Sequence, residues 1–349
     1  MKIMTGNLMK ELIETNIDYN NHFNRGTKMK KKELYIVIIV LLIISLLVSY
    51  LLYTHKNEIS ELQKDSMKIY VIAGSTLQEY GGVISCGYVI TTKNNELIVV
   101  DGGIDADKQF LVEYIKRLGN GTVSHWYITH PHQDHVGALI QILQDDECDI
   151  TIENLYYSFN SLEWYKEYDE RGFETEQKML NLLDSKKIKN KISCTKNQEI
   201  YMDNVRCDIL KIADPEMINT DNGNDSSMCF KMTATDVNKS IIFLGDAYYY
   251  ASIELLNDPQ KLKADVVQMA HHGQNGVSKD VYIAIAPKVC CFNCPMWLYN
   301  NNPGSGYNSG RWKSIEVQNW VQELRAQCVL SFLGDRIIKF NQNGIEIEA

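Results

Sequence analysis

Trp126-Tyr-Ile-Thr-His130-Pro-His132-Gln-Asp134-His135-Val-Gly137 sets three histidines and an aspartate directly behind a short apolar run. The run Trp126–Thr129 reads as a strand. In the extended loop after it His130 and His132 alternate, so both imidazoles can face one cation. The chain then turns into a helix near Val136, which lets Asp134 and His135 face a second cation beside the first. Neutral imidazole and carboxylate are the ligands expected of zinc or a related divalent ion. Two such ions roughly 3.5–4 Å apart share a hydroxide, lower the pKa of its parent water and stabilise the entering and leaving oxygens of a displacement.

Three other apolar runs end in the same way. Leu97–Val100 runs into Asp101-Gly-Gly, Ile241–Leu244 into Gly245-Asp246, and Val266–Ala270 into His271-His272-Gly273. Ligand crevices of α/β folds open at the carboxyl ends of strands, so the four loops are expected to converge on one site. Asp246 is expected to bridge the two ions, and Asp101 to hydrogen-bond the motif loop without touching metal. In an extended segment tandem side chains point to opposite sides, so one of His271 and His272 is expected as a ligand and the other as a substrate or supporting donor. His125, ahead of the strand, reads as a surface or supporting group.

Working outward, further strand patterns lie at Ile69–Ala73, Val83–Thr91, Lys288–Phe292 and Cys328–Leu333. Helical patterns fall at Asp105–Leu118, Ala138–Leu143, Glu174–Leu183, Ala251–Leu256 and Trp312–Ala326. This alternation predicts an α/β domain with sheets covered by helices, without an internal boundary from Met67 to Ala349.

Ahead of it, residues 34–53 form an uncharged apolar run long enough to cross a hydrocarbon layer of roughly 30 Å as a helix. Arg25, Lys28, Lys30, Lys31 and Lys32 crowd its N-terminal side, whereas Lys56, Lys64 and Lys68 beyond it are diluted by Glu58, Glu61 and Asp65. The bias of positive charge toward the cytoplasm predicts a cytoplasmic segment 1–33, a retained single-pass span 34–53 in the plasma membrane, a juxtamembrane linker 54–66 and an extracellular hydrolase domain 67–349. Met29-Lys-Lys-Lys resembles a natural chain start, which makes residues 1–28 an upstream extension.

The formal charge of -9 is unevenly spread: residues 1–33 carry seven Lys/Arg against four Asp/Glu, leaving 28 against 40 in the remainder. An acidic body does not attract phosphate backbones through its overall field, which disfavours nucleic acid as a partner. The nine cysteines, with Cys290, Cys291 and Cys294 as their one cluster, read as buried apolar residues, a disulfide being the alternative.

Asp101-Gly-Gly, His130–His135, Gly245-Asp246-Ala247 and His271-His272-Gly273 resemble, in order and spacing, the successive motifs of the metallo-β-lactamase superfamily, over essentially all of residues 67–349. The resemblance implies an αββα sandwich with a dinuclear site at one edge of two facing sheets. It implies His130, His132, Asp134, His135, Asp246 and His271 as ligands, His271 being preferred for its place before the Gly-containing turn. Asn224-Asp225-Ser226-Ser227, together with Leu-Gly-Asp-Ala and Ala-His-His-Gly, is similar to the hydrolase domain of ComEC-type competence proteins and their relatives, including phosphorylcholine esterases. Many members add a third histidine to the first metal, yet this chain has no His from 136 to 270. Asp225 either approaches the metal or substrate in that interval or opens a strand at Met228–Met232. Asn224, Ser227, His272 and Arg311 are further candidates for supporting the ligands or binding substrate.

The resulting expectation is a membrane-anchored, outward-facing hydrolase of phosphodiester or phosphoester substrates, small or polymeric. Asp134 is its catalytic residue, orienting a metal-activated hydroxide with two divalent ions, zinc first, manganese or iron as alternatives. The competing readings are a non-catalytic metal-binding sensing module, a β-lactam or other carbonyl-ester hydrolase, and a structural anchor. The Gly/Asn-rich loop Asn300–Gly310 is expected to flank the site, with Trp297, Tyr299 and Tyr307 available for stacking.

Overall fold

A computed structural model describes residues 31–62, 65–218 and 221–349. It divides into two units, Met1–Leu62 and Gln63–Ala349. The expectation for residues 1–28, and nearly all of that for 1–33, lies outside the described residues. In the first unit, helix α1 (Lys31–Leu62) contains a 20-residue stretch, Tyr35–Thr54, of mean hydropathy 3.0. Its length and composition suit a membrane span, a test that a signal sequence also passes. The expected linker 54–66 is helical as far as Leu62. His55–Leu62 contains neither Gly nor Pro, so a helix nucleated in the apolar run propagates through it.

The second unit is built on two sheets. The first has eight strands in the order β15 (Gly344–Glu348), β14 (Arg336–Asn341), β1 (Met67–Val71), β2 (Gly87–Thr92), β3 (Leu97–Asp101), β4 (Thr122–Tyr127), β5 (Thr151–Tyr157) and β6 (Ile188–Ser193). The second has seven, in the order β13 (Gln327–Leu330), β12 (Val289–Phe292), β11 (Val266–Gln268), β10 (Lys239–Phe243), β9 (Cys229–Ala234), β8 (Val205–Lys211) and β7 (Glu199–Met202). Helices α2 (Lys108–Gly119), α3 (Gln133–Gln144), α4 (Leu162–Tyr168), α5 (Phe173–Leu182), α6 (Asn222–Asp225), α7 (Tyr249–Leu255), α8 (Pro259–Leu262), α9 (Lys279–Ile285), α10 (Met296–Tyr299) and α11 (Ser314–Glu323) fill the connections.

Strand periodicity sorts the apolar side chains into layers. Tyr88, Ile90, Ile98, Val100, Ile241 and Phe243 join the core between the sheets. Their neighbours Val89, Leu97 and Val99 turn outward beneath α2 and α3, and Ile242 and Leu244 turn outward beneath α7, α9 and α11. Each fully buried side chain of this size contributes about 1.5–3 kcal/mol. The four layers are the expected αββα arrangement. All nine cysteines are free; eight are buried and Cys328 is half-buried. Cys291 packs between the sheets and Cys290 on the outer side, so the cluster serves as small apolar filling.

Helix α3 carries the motif from the sheet edge into the outer layer. Val136, Leu139, Ile140 and Leu143 recur at helical spacing and are buried in the outer core. Asp134 sits in the first turn, where the helix dipole favours a carboxylate. Gly137 lets this helix lie on the loop after β3: Ala138 N donates to Gly103 O at 3.0 Å, and a Cβ on Gly137 would stand 2.5 Å from Asp105 N and 2.8 Å from the Ile104 carbonyl carbon. Gly137→Ala gains about 1 kcal/mol of helix propensity but pushes α3 off its support. It is expected to destabilise the domain by about 1–3 kcal/mol net, as measured by denaturant unfolding; unchanged stability would contradict this packing.

Candidate metal centre

Parallel pairing brings the four motif loops together. β3 pairs with β4 and β10 with β11 in parallel, so each pair delivers two C-terminal loops to the same end of its sheet. Gln268 locks the second pair: its Oε1 accepts from Leu244 N (2.9 Å) and Gly245 N (2.8 Å), and its Nε2 donates to Gly245 O (3.0 Å).

Asp134, His135, Asp246 and His272 place ligand atoms within 4.8 Å of one another. His272 Nε2 lies 3.0 Å from Asp134 Oδ2 and 3.2 Å from Asp246 Oδ2, and His135 Nε2 lies 3.1 Å from Asp246 Oδ1. The far nitrogens are held elsewhere. His135 Nδ1 donates to Asp101 Oδ2 at 2.8 Å and His272 Nδ1 to the Asn293 carbonyl at 2.8 Å, which turns both Nε2 atoms toward the cluster. Asp101 also accepts from Thr129 N at 2.8 Å and from the Thr129 hydroxyl, so it braces the motif loop as expected.

The electrostatics favour a cation. Burial opposes charge on His272, but Asp246 and Asp134 outweigh it and push the group up to about 9. Burial would raise Asp246, yet His272, His135 and His271 hold it well below the usual carboxylate range. His130 is pushed well below the ordinary imidazole value by burial and by the neighbouring His135 and His132 rings. The Nε2 atoms of His130, His135 and His272 and Oδ1 of Asp246 are buried without a hydrogen-bond partner. Unpaired nitrogens and carboxylate oxygens turned on one another in a dry site fit the ligand set of a divalent metal.

His130 and His132 stand next to this cluster but outside it. The rings of His132, His130, His135 and His272 follow one another with centroid spacings of 4.6, 4.2 and 5.2 Å. His132 Nε2 meets Asp169 Oδ2 at 2.6 Å, in a second group of potential ligands comprising His132, Asp169 and Glu176. Neither acidic residue belongs to a recognisable motif. Both come from the α4–α5 segment, and no sequence signal separates them from the charges of an ordinary amphipathic helix.

The tandem histidines exchange the roles expected of them. His271 and His272 are not extended but left-handed, with φ of 49° and 59°, so their side chains do not alternate across the chain. His272 enters the buried cluster. His271 instead hydrogen-bonds the Asn275 carbonyl through Nδ1 at 2.6 Å, leaving Nε2 3.4 Å from Asn224 Nδ2 and 3.8 Å from Asp246 Oδ2. Asp225 is turned away from the cluster: its carboxylate accepts from Tyr248 N, Tyr250 N and Ala251 N at the start of α7. Ser227 supports the cluster through Oγ, which accepts from Asp246 N at 3.0 Å. His125 lies apart, against Glu96 and Tyr156.

Beside the cluster a cavity of about 610 Å³ is lined by Asp134, His132, Asp169, Asn224 and His271, together with Arg171, Arg311 and Trp312. Arg171 escaped the sequence reading. The expected aromatic platform is only partly available: Trp297 donates to Gly82 O and packs on Trp312, Tyr299 packs on Phe292 and Phe332, and only Tyr307 is exposed.

Asp101→Asn keeps a side chain that tolerates the positive φ of 57° but removes the charge that orients His135. The cluster is expected to lose about 10–100-fold in zinc affinity by chelator competition with the fold intact. An unchanged affinity would show that Asp101 does not act on the ligand set.

A comparison with curated proteins finds no match. Among solved structures, the metallo-beta-lactamase fold protein YhfI from Bacillus subtilis is 14% identical, covers 76% of this chain and 96% of its own, and superposes with a TM-score of 0.45. Unliganded yeast PDE1 is 11% identical, with coverage of 79% and 99% and a TM-score of 0.46. A diphosphatase from the PhnP family is 12% identical, with coverage of 68% and 93% and a TM-score of 0.40. Residues 80–199, which hold the Asp101 and His130–His135 motifs, match the family model for the metallo-beta-lactamase superfamily.

Proposed function

We propose that this protein is a membrane-anchored, outward-facing, metal-dependent phosphoesterase. The observation that carries the reading is that Arg171 and Arg311 line the same cavity as Asp134 and His132. Two guanidinium groups lining a cavity of this size with a ligand cluster suit a compact anionic ester, whose non-bridging oxygens they bind through paired N–H donors. Lining by a single aromatic ring and several carboxylates fits neither a long polynucleotide groove nor a choline cage. The likeness of Asn224–Ser227, Leu-Gly-Asp-Ala and Ala-His-His-Gly to ComEC-type domains supports phosphodiester chemistry in particular.

In this reading Asp134, His135, Asp246 and His272 hold one divalent ion, zinc being preferred for its nitrogen and carboxylate ligands, and His130 and His132 serve a second. Such ions supply acidified water and neutralise charge on an ester's oxygens. Asp134, the member of the cluster that lines the cavity, accepts a hydrogen bond from the attacking water and aims it. Arg171 and Arg311 hold the ester in line with it. His271, fixed by Asn275 and facing Asn224, stands where it can pass a proton to the departing oxygen.

Anchoring rests on the Tyr35–Thr54 stretch, and orientation on the basic residues before it. Proteinase added to intact cells is expected to remove a C-terminal epitope; complete protection would overturn the outward orientation.

Full-length protein in detergent is expected to cleave bis(p-nitrophenyl) phosphate, to lose activity to a chelator and to regain it with zinc or manganese. Arg311→Ala should raise KM about tenfold or more, the value of one charged hydrogen bond of about 1.5–3 kcal/mol. Asp134→Asn should lower kcat by roughly 10²–10⁴. Stoichiometric metal with no turnover on any phosphoester would replace the enzyme with a sensing module.

A further inference from the structure

Histidine is missing between residues 136 and 270, where a third imidazole for the metal beside His130 and His132 was sought. The structure brings other donors to that place. Asp169 closes α4 and Glu176 lies one turn into α5, and with His132 they bring three ligand atoms within 4.8 Å of one another. His132 Nε2 stands 2.6 Å from Asp169 Oδ2 and 3.8 Å from Glu176 Oε1.

Glu176 distinguishes this group from an imidazole steadied by a carboxylate. It is fully buried, and no hydrogen-bond partner reaches either of its oxygens. His130, whose ring centroid lies 4.6 Å from that of His132, also keeps a buried Nε2 without a partner. Two carboxylates and an imidazole this close, one carboxylate fully buried, cost several kcal/mol unless protons or a metal cation lie among them. The backbone is shaped to permit it. A Cβ on Gly223 would run into Asp169 Oδ2 and His132 Nε2, and one on Gly172 would lie 2.9 Å from Glu176 Oε1 and from His132 Nε2. Gly172, just before α5, and Gly223, in α6, thus leave room for the donors.

We infer that Asp169 takes the place of the missing histidine, binding the first divalent ion with His132 and His130, while Glu176 supplies a further carboxylate oxygen to the same ion. The inference rests on the metal-centre reading above and extends it to a ligand outside every motif. A carboxylate in place of an imidazole makes this ligand set harder, favouring manganese or iron over zinc there more than a three-histidine set would.

Metal content tests this on the full-length protein in detergent, loaded with zinc and freed of excess ion, by atomic emission. Wild type is expected to carry about two ions per chain and Asp169→Asn about one, while Asp134→Asn loses the other. In cobalt(II)-loaded protein Asp169→Cys should show a thiolate-to-metal charge-transfer band in the near ultraviolet that wild type lacks, which reports ligation even where Asp169→Asn folds poorly. Wild-type metal content in Asp169→Asn, with no new band in Asp169→Cys, would overturn the inference and leave Asp169 as a hydrogen-bond partner of His132. A wild-type chain that binds no metal would overturn the metal-centre reading as well.

Discussion

Asp101, Asp134 and Asp246 are drawn together at one end of the sandwich, and carboxylates can be crowded in this way only if positive charge is interleaved among them. The interleaving groups are His135 and His272, each gripped through Nδ1 so that Nε2 faces the acids. Remove this balance and the site is a set of mutually repelling buried charges. With it, the same groups form a compact, largely buried set of carboxylate and imidazole donors, the arrangement that holding a divalent cation requires.

The sandwich supplies the rigidity. Two parallel strand pairs, one in each sheet, end at the same edge, so the ligands are carried on short loops whose bases are pinned in the ladder. The supporting bonds are spread over distant parts of the chain. Gln268 ties the end of β10 to β11, Ser227 holds Asp246 N, and the buried Lys211 ammonium donates to the carbonyls of Asp225 and Ser227. The Asn224–Ser227 segment thereby acts chiefly as a brace between β9 and α7. Only Asn224 among these residues lines the cavity.

Much of this was legible without coordinates because the signals are local. A strand ending in a histidine cluster, an apolar period of 3.6 from Val136 to Leu143 and an unbroken apolar run at Leu97–Val100 each depend on neighbours in sequence. Some of the strands missing from the sequence reading lack such signals. β6, with four exposed polar residues at the edge of its sheet, carries too little apolar alternation to stand out, and β5 interrupts its own with Glu153 and Asn154. The alternation expected of His271 and His272 presumes extended backbone, whereas both adopt positive φ.

By itself the sequence determined the layered α/β class, the four loops that meet and the residue types gathered there, since each follows from periodicity and from chemistry confined to a few adjacent positions. Tertiary structure alone decided which tandem histidine enters the cluster, that Asp225 caps a helix, that Arg171 and Arg311 line one cavity, and that Asp169 and Glu176 reach His132. Those outcomes depend on how separate segments pack, and a carboxylate on an ordinary helix gives no sign in the sequence of the imidazole it will meet.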